Sequence, residues 1–245
     1  MPSRDWERAE LLKVLALYCQ LPFGRFDARN RDVIAMASVL DRTPGSVAIK
    51  LCNFASLDPE HRRRGVRGMG HASKLDKVVW REHYGNWAEL AQESDFATSD
   101  SVAEPTVGEG GNSVLALAAQ RRGQDFFRRA VLAAHDQTCC VTGINVPKLL
   151  RASHIVPWAK RAETQLDPRN GLCLNALHDA AFDKGLFTLT DELNIVLSGE
   201  LRRAVPERVC KELFGSREGK KIAVPQRFVP PAEFLAFHRE HVFVA

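Results

Sequence analysis

The apolar positions of the first 95 residues recur at helical spacing, whereas short apolar runs broken by Gly and Asn enter only after residue 138. In DWERAELLKVLALYCQL, Leu11, Leu12, Leu15 and Cys19 lie at helical spacing behind Asp5, a candidate cap. RNRDVIAMASVL reads as a second helix behind Asn30. A third follows a short turn in DRTPGSVAIKLCNF, with Thr43 at the N-cap and Pro44 at the first helical position, where a missing N–H does no harm. On it Val47, Leu51 and Phe54 share one face, which directs Ser46, Lys50 and Asn53 away from the expected core. VVWREHYGNWAELAQ closes the region as an amphipathic helix in which Trp80, Tyr84 and Trp87 are core candidates.

The pattern lapses over residues 96–113, which are rich in Ser, Thr, Gly and acid and contain no Lys or Arg, the composition of a linker. Helical spacing resumes in RRGQDFFRRAVLAAHDQ, where His135 reads as structural. CCVTGINVPKLLRASHI predicts two short strands joined by a Gly/Asn turn, with His154 near the end of the second. A loop, VPWAKRAETQLDPRN, leads to a turn at Asn170-Gly171, a short strand LCLN, and a helix ALHDAAFDKG ended by Gly185. The chain therefore divides into a helical domain at 1–95, a linker at 96–113 and a mixed domain at 114–245, an α+β protein.

At 245 residues and 45% hydrophobic content, each domain can bury a core. No apolar run is long enough to span a bilayer and the first residues lack signal-peptide grammar, so a cytoplasmic protein without a membrane partner is expected. Six cysteines without a C-x-x-C pair argue against a disulfide framework and a four-cysteine zinc knuckle. Of the net charge of +4, fifteen Lys and Arg face thirteen Asp and Glu in 1–95, none face three in 96–113, and nineteen face fourteen in 114–245. Two mildly basic domains thus flank an acidic tether, which suits a polyanionic partner.

Helix, tight turn, helix is one way to present a polar helix face to a major groove, and Ser46, Lys50 and Asn53 form such a face; any amphipathic helix also has one. RTPGSV followed by Lys50 resembles the last helix of Myb-like or winged-helix modules. The Gly-rich stretch after it carries Arg62, Arg63, Arg64, Arg67, Lys74 and Lys77, cations on flexible backbone that suit phosphate contacts.

The order His154, Asn170, His178 with a carboxylate at Asp183 carries the sharper signal. Together with Cys140 to Gly143, Ala152 to Trp158, Asn170 to Leu174 and Leu177 to Leu186, it resembles the HNH nucleases of ββα-metal fold, over about residues 120–245. The resemblance implies that His154 is the general base, that Asn170 orients this imidazole or braces the loop, and that His178 and Asp183 hold a divalent ion (Mg²⁺, Mn²⁺ or another transition metal). Asp179 competes for the metal role, because Asp179 and Asp183 are four apart and align on one helical face, whereas a spacing of five does not. The better-known branch of the family has Asp immediately before the base; here Ser153 stands there, a poor ligand beside a carboxylate.

The expected protein is a metal-dependent endonuclease acting on double-stranded DNA, resembling restriction enzymes, including those that cut only modified DNA. One site per chain implies a homodimer or two molecules acting together for double-strand cleavage. Its rivals are a DNA-binding regulator with a degenerate nuclease fold, and a nuclease for RNA or branched DNA.

Overall fold

The computed structural model describes residues 4–65, 71–93 and 111–245, and divides the chain into two compact units, Met1–Ala130 and Val131–Ala245. Arg67 and most of the expected linker lie outside the described residues. No described helix is long and apolar enough to cross a membrane.

Unit 1 holds α1 (Arg8–Gln20), α2 (Arg31–Val39), α3 (Pro44–Leu57), α4 (Pro59–Arg63), α5 (Lys74–His83), α6 (Trp87–Glu93) and most of α7 (Gly111–Ala134), which continues into unit 2. The cap of α1 is Glu7 rather than Asp5, and its backbone N–H donates to Glu10 at 2.8 Å. Asn30 and Thr43 cap α2 and α3, accepting from the Asp32 and Ser46 amides, and Pro44 opens α3. Leu11, Leu15, Met36, Val47, Leu51 and Phe54 close the core around Tyr18, whose hydroxyl donates to Asp58 at 2.7 Å.

The polar side of α3 is not the solvent-facing surface that the sequence predicts. Helix α5 packs against α3. There Lys50 Nζ donates to both oxygens of the fully buried Asp76, at 2.9 and 3.1 Å, and Asn53 Nδ2 reaches Asp76 at 3.3 Å. Asp76 is held further as part of a capping box, accepting from the Ser73 amide at 2.8 Å. Lys50 and Asn53 are thus bound internally, because a second helix supplies the carboxylate their face requires. Ser46, at the start of α3, donates its hydroxyl to the Thr43 carbonyl.

Unit 2 contains β1 (Leu150–His154) and β2 (Gly171–Asn175), antiparallel with Leu150 opposite Asn175 and His154 opposite Gly171. Helix α8 (Ala176–Asp183) follows β2 directly and packs against both strands. A second antiparallel pair, β3 (Phe187–Leu189) with β4 (Ile195–Leu197), then leads to α9 (Gly199–Ala204), α10 (Glu207–Leu213) and α11 (Ala232–His241). The strand expected at Cys139–Val141 does not form. A tight turn at Thr142-Gly143 closes the segment on itself, with the Gly143 amide bonded to the Cys139 carbonyl and Gly143 at φ +80°. The segment meets β2 through the Cys140 amide, bonded to the Cys173 carbonyl, and through Asn175, whose backbone amide reaches Cys139 Sγ and whose Nδ2 donates to the Thr142 hydroxyl.

Gly185 ends α8 at φ +67°, as the sequence predicts, and the C-terminal segment crosses so close that a Cβ here would run into the Val242 carbonyl. All six cysteines are free thiols.

Candidate active site

His154 is the last residue of β1, where the pleat gives way to the loop that returns at Asn170. Its half-buried imidazole bonds through Nε2 to the Gln165 carbonyl at 3.0 Å. A carbonyl only accepts, so in the neutral ring Nε2 carries the proton and Nδ1 the lone pair. Trp158 stands edge-on to the ring at 5.4 Å, and its own carbonyl accepts from the Gln165 side chain at 2.9 Å. Gln165 therefore holds the imidazole with its backbone and the loop with its side chain. The pKa of His154 is lowered, by burial first, against the opposing pull of the Gln165 carbonyl and the charge of Asp179.

Asn170 is fully buried and spends its side chain on that loop. Its Oδ1 accepts from the Val156 amide at 2.7 Å, and its Nδ2 donates to the carbonyls of Val156 and Thr164 at 3.0 and 3.2 Å. These bonds fix the loop carrying Gln165, and hence the carbonyl that orients His154; none goes to the imidazole itself.

Helix α8 separates the residues expected on it. Asn175 caps the helix, accepting from the Leu177 and His178 amides and from His178 Nδ1 at 3.1, 3.0 and 3.1 Å. His178 is buried, its ring 5.0 Å from Phe214 and 6.1 Å from Phe187, beside Val141 and Leu197. Burial lowers its pKa, with the Leu213 backbone opposing and Arg217 assisting. Five helical residues turn ~140° beyond a full turn, which points His178 to the core and Asp183 to the rim.

Asp179 and Asp183, one turn apart, remain on the accessible side. Asp183 is exposed, and its Oδ1 accepts from the hydroxyl of buried Ser153 at 3.3 Å. Its pKa is raised, by crowding from protein on its inner side and then by the like charge of Asp179, with Ser153 and Lys184 opposing.

Asp179 and Asp183, oxygen donors one turn apart on the accessible side of α8, form a donor set suited to a hard divalent cation. Among the described residues no three His, Cys, Asp or Glu side chains converge on one point. The fit is therefore to an ion bound by one or two carboxylates and completed by water and substrate oxygen, the ordinary situation of Mg²⁺.

Of the cations expected to meet phosphate, Arg62, Arg63, Arg64 and Lys74 are exposed, and Arg63 pairs with Glu60 at 3.6 Å. Gln165 and Asn175 are not among the site residues that the sequence suggests, although Asn175 is legible as an N-cap. Gln165 acts through its backbone oxygen, which no residue type announces.

Residues 139–190 match the family model described as HNH endonuclease. No curated protein matches the chain.

Proposed function

We propose that the protein is a metal-dependent DNA endonuclease whose general base is His154, a reading supported by the match of residues 139–190 to the HNH endonuclease family model. The observation that carries this reading is the contact of His154 Nε2 with the Gln165 carbonyl, which makes Nε2 the donor and Nδ1 the basic nitrogen of the neutral ring, in the neighbourhood of Asp179. Its lowered pKa keeps the ring neutral, and so able to accept a proton, at neutral pH.

Nδ1 takes the proton from an attacking water as the oxygen bonds to phosphorus and the bond to the 3′ oxygen breaks. The Gln165 carbonyl and the Asp179 charge, which oppose burial in setting the pKa, stabilise the imidazolium that results. Asp179 and Asp183 would hold a divalent ion, which supplies charge stabilisation to the phosphate and the departing oxygen. Ser153 orients Asp183 through its hydroxyl, in place of the ligand a carboxylate would have provided. Asn170 serves as a positioning residue for the loop, and His178 as a core residue that seats α8.

Unit 1 contributes target choice in this reading, with Arg62, Arg63, Arg64, Arg67 and Lys74 meeting phosphates of duplex DNA, and the biological role is restriction, including of modified DNA. Two copies of the chain act together to cut both strands.

Plasmid digestion with Mg²⁺ or Mn²⁺ tests the assignment, on methylated and unmethylated DNA. His154→Ala is expected to slow cleavage by about 10²–10⁴-fold while gel-shift affinity for DNA persists. Cleavage at the parental rate would remove His154 from the chemistry, and tight binding without cleavage under any metal would mark a DNA-binding regulator.

A further inference from the structure

Unit 1 contains a cleft of about 620 Å³ where the end of α3 and α4 face one side of α5. Its rim is cationic. Lys74, Lys77 and Arg81 recur along α5 at spacings of three and four, so they share one side of the helix. Arg62 reaches in from α4, its Nε fixed to the Ser56 carbonyl at 2.9 Å. All four are exposed, and none forms an ion pair with a carboxylate among the described residues. The inner wall is apolar, made by Leu57 and by Trp80. Trp80 is rigidly seated, stacked on Tyr84 at 3.9 Å and in contact with the rings of Tyr18 and Phe54.

The combination selects a ligand class. A volume of this size falls in the ~300–1,000 Å³ range of small-molecule sites. Four unneutralised cations disfavour an apolar occupant, while the aromatic wall exceeds what an inorganic anion needs. A nucleotide matches both, with flanking phosphates on the cations and the base against Trp80 and Leu57. A base inside a duplex is stacked between its neighbours and cannot enter such a cleft; an unpaired or extruded one can.

We propose that this cleft takes one unpaired nucleotide of a DNA strand, with its phosphates on Arg62, Lys74, Lys77 and Arg81 and its base on the wall formed by Trp80 and Leu57. The proposal rests on the reading of the protein as a DNA endonuclease and adds that unit 1 senses single-stranded or extruded bases.

The test uses the full chain in EDTA, titrated with fluorescein-labelled (dT)12 and with a duplex of the same length. The expected result is that (dT)12 quenches tryptophan emission, that Trp80→Phe loses most of this quench, and that Lys77→Glu with Arg81→Glu weakens (dT)12 binding at least tenfold. The same double variant lowers the slope of log affinity against log salt by about 1.4, two cations at ~0.7 each. Its thermal melt stays parental, so a misfolded chain is recognised. Parental (dT)12 affinity in the double variant, or an undiminished quench in Trp80→Phe, overturns the proposal. If duplex binding and cleavage are intact in that event, only the cleft assignment fails; if the parent binds neither DNA, the reading of unit 1 as a DNA module fails with it.

Discussion

Helices α5 and α8 each direct carboxylates toward a neighbouring element, and those carboxylates end in opposite states. Asp76 on α5 is fully buried and receives Lys50, Asn53 and the Ser73 amide within its own unit. Asp183 on α8 is exposed, receives one long hydroxyl bond from Ser153, and feels the like charge of Asp179. A buried charge answered by a lysine and an amide serves the fold, since its demand is met before any ligand arrives. A carboxylate whose proton affinity is raised by desolvation and then by a like charge one turn away carries a demand that a cation relieves. The contrast also shows why Lys50, which looks like a DNA contact in the sequence, has its ammonium engaged by Asp76 inside unit 1.

Replacing both Asp179 and Asp183 by Asn should have the largest effect, a loss of about 10⁴-fold in metal-dependent plasmid cleavage, near 5 kcal/mol of barrier. Stability should hold or rise, because like-charge repulsion is removed. Cleavage rates and a urea melt on the same preparations check both halves, and a marked loss of stability would place these carboxylates with Asp76 as structural groups.

Lys50→Ala is the converse experiment. It strands Asp76 as a buried charge and should cost about 3–5 kcal/mol in unfolding free energy. Hydrolysis of bis(4-nitrophenyl) phosphate, which needs only the nuclease domain, should stay parental below the melting transition. A small stability change would mean that Asp76 is satisfied without Lys50.

Histidines sharpen the contrast through pH. Burial holds His135 and His238 at a pKa of about 4. His238 stacks on Phe182 at 3.8 Å, with its ring nitrogens bonded to Thr188 and to the Phe182 carbonyl. With the unfolded pKa near 6.5, the unfolded chain binds the extra protons first as pH falls, so the stability of keeping each ring neutral is complete above about 6.5 and is lost toward about 4. The loss is about 3 kcal/mol per ring across that window. Urea midpoints between pH 7.5 and 4.5 read it, and His135→Met should flatten the slope by its share. Asp183, with a raised pKa, contributes with the opposite sign, its penalty easing as pH falls.

The sequence disclosed what depends on local period and caps. Asn30, Thr43, Pro44 and Gly185 sit where helix grammar puts them, whereas the turn expected at Asn170-Gly171 is the end of a short 3-10 helix, Pro168–Asn170, with Gly171 already extended as the first residue of β2 opposite His154. Partners distant in sequence were hidden. Nothing near Lys50 reveals that Asp76, 26 residues later, faces it. Nor does the spacing of Cys139 from Gly143 show a turn where a strand could run. On α8 the angular argument was available from spacing alone, and it favours Asp179 over His178 as the companion of Asp183. The Gln165 carbonyl was invisible because every residue has one, and it is the loop bonds of Asn170 and of the Gln165 side chain that bring it to the imidazole.

Ser153 offers the smallest and most discriminating effect. Its hydroxyl meets Asp183 at 3.3 Å, long for such a bond, so Ser153→Ala should cost about 1 kcal/mol of orientation, close to fivefold in cleavage at limiting metal. The deficit should shrink at saturating metal, since a hydroxyl that only aims a carboxylate affects ion affinity more than the chemical step. Ser153→Asp tests the other side. A third carboxylate beside Asp179 and Asp183 strengthens ion binding but raises the repulsion in its absence, so the variant should cleave at lower Mn²⁺ while melting earlier in EDTA. Parental stability in EDTA together with unchanged metal dependence would show that residue 153 lies outside the field these two aspartates share.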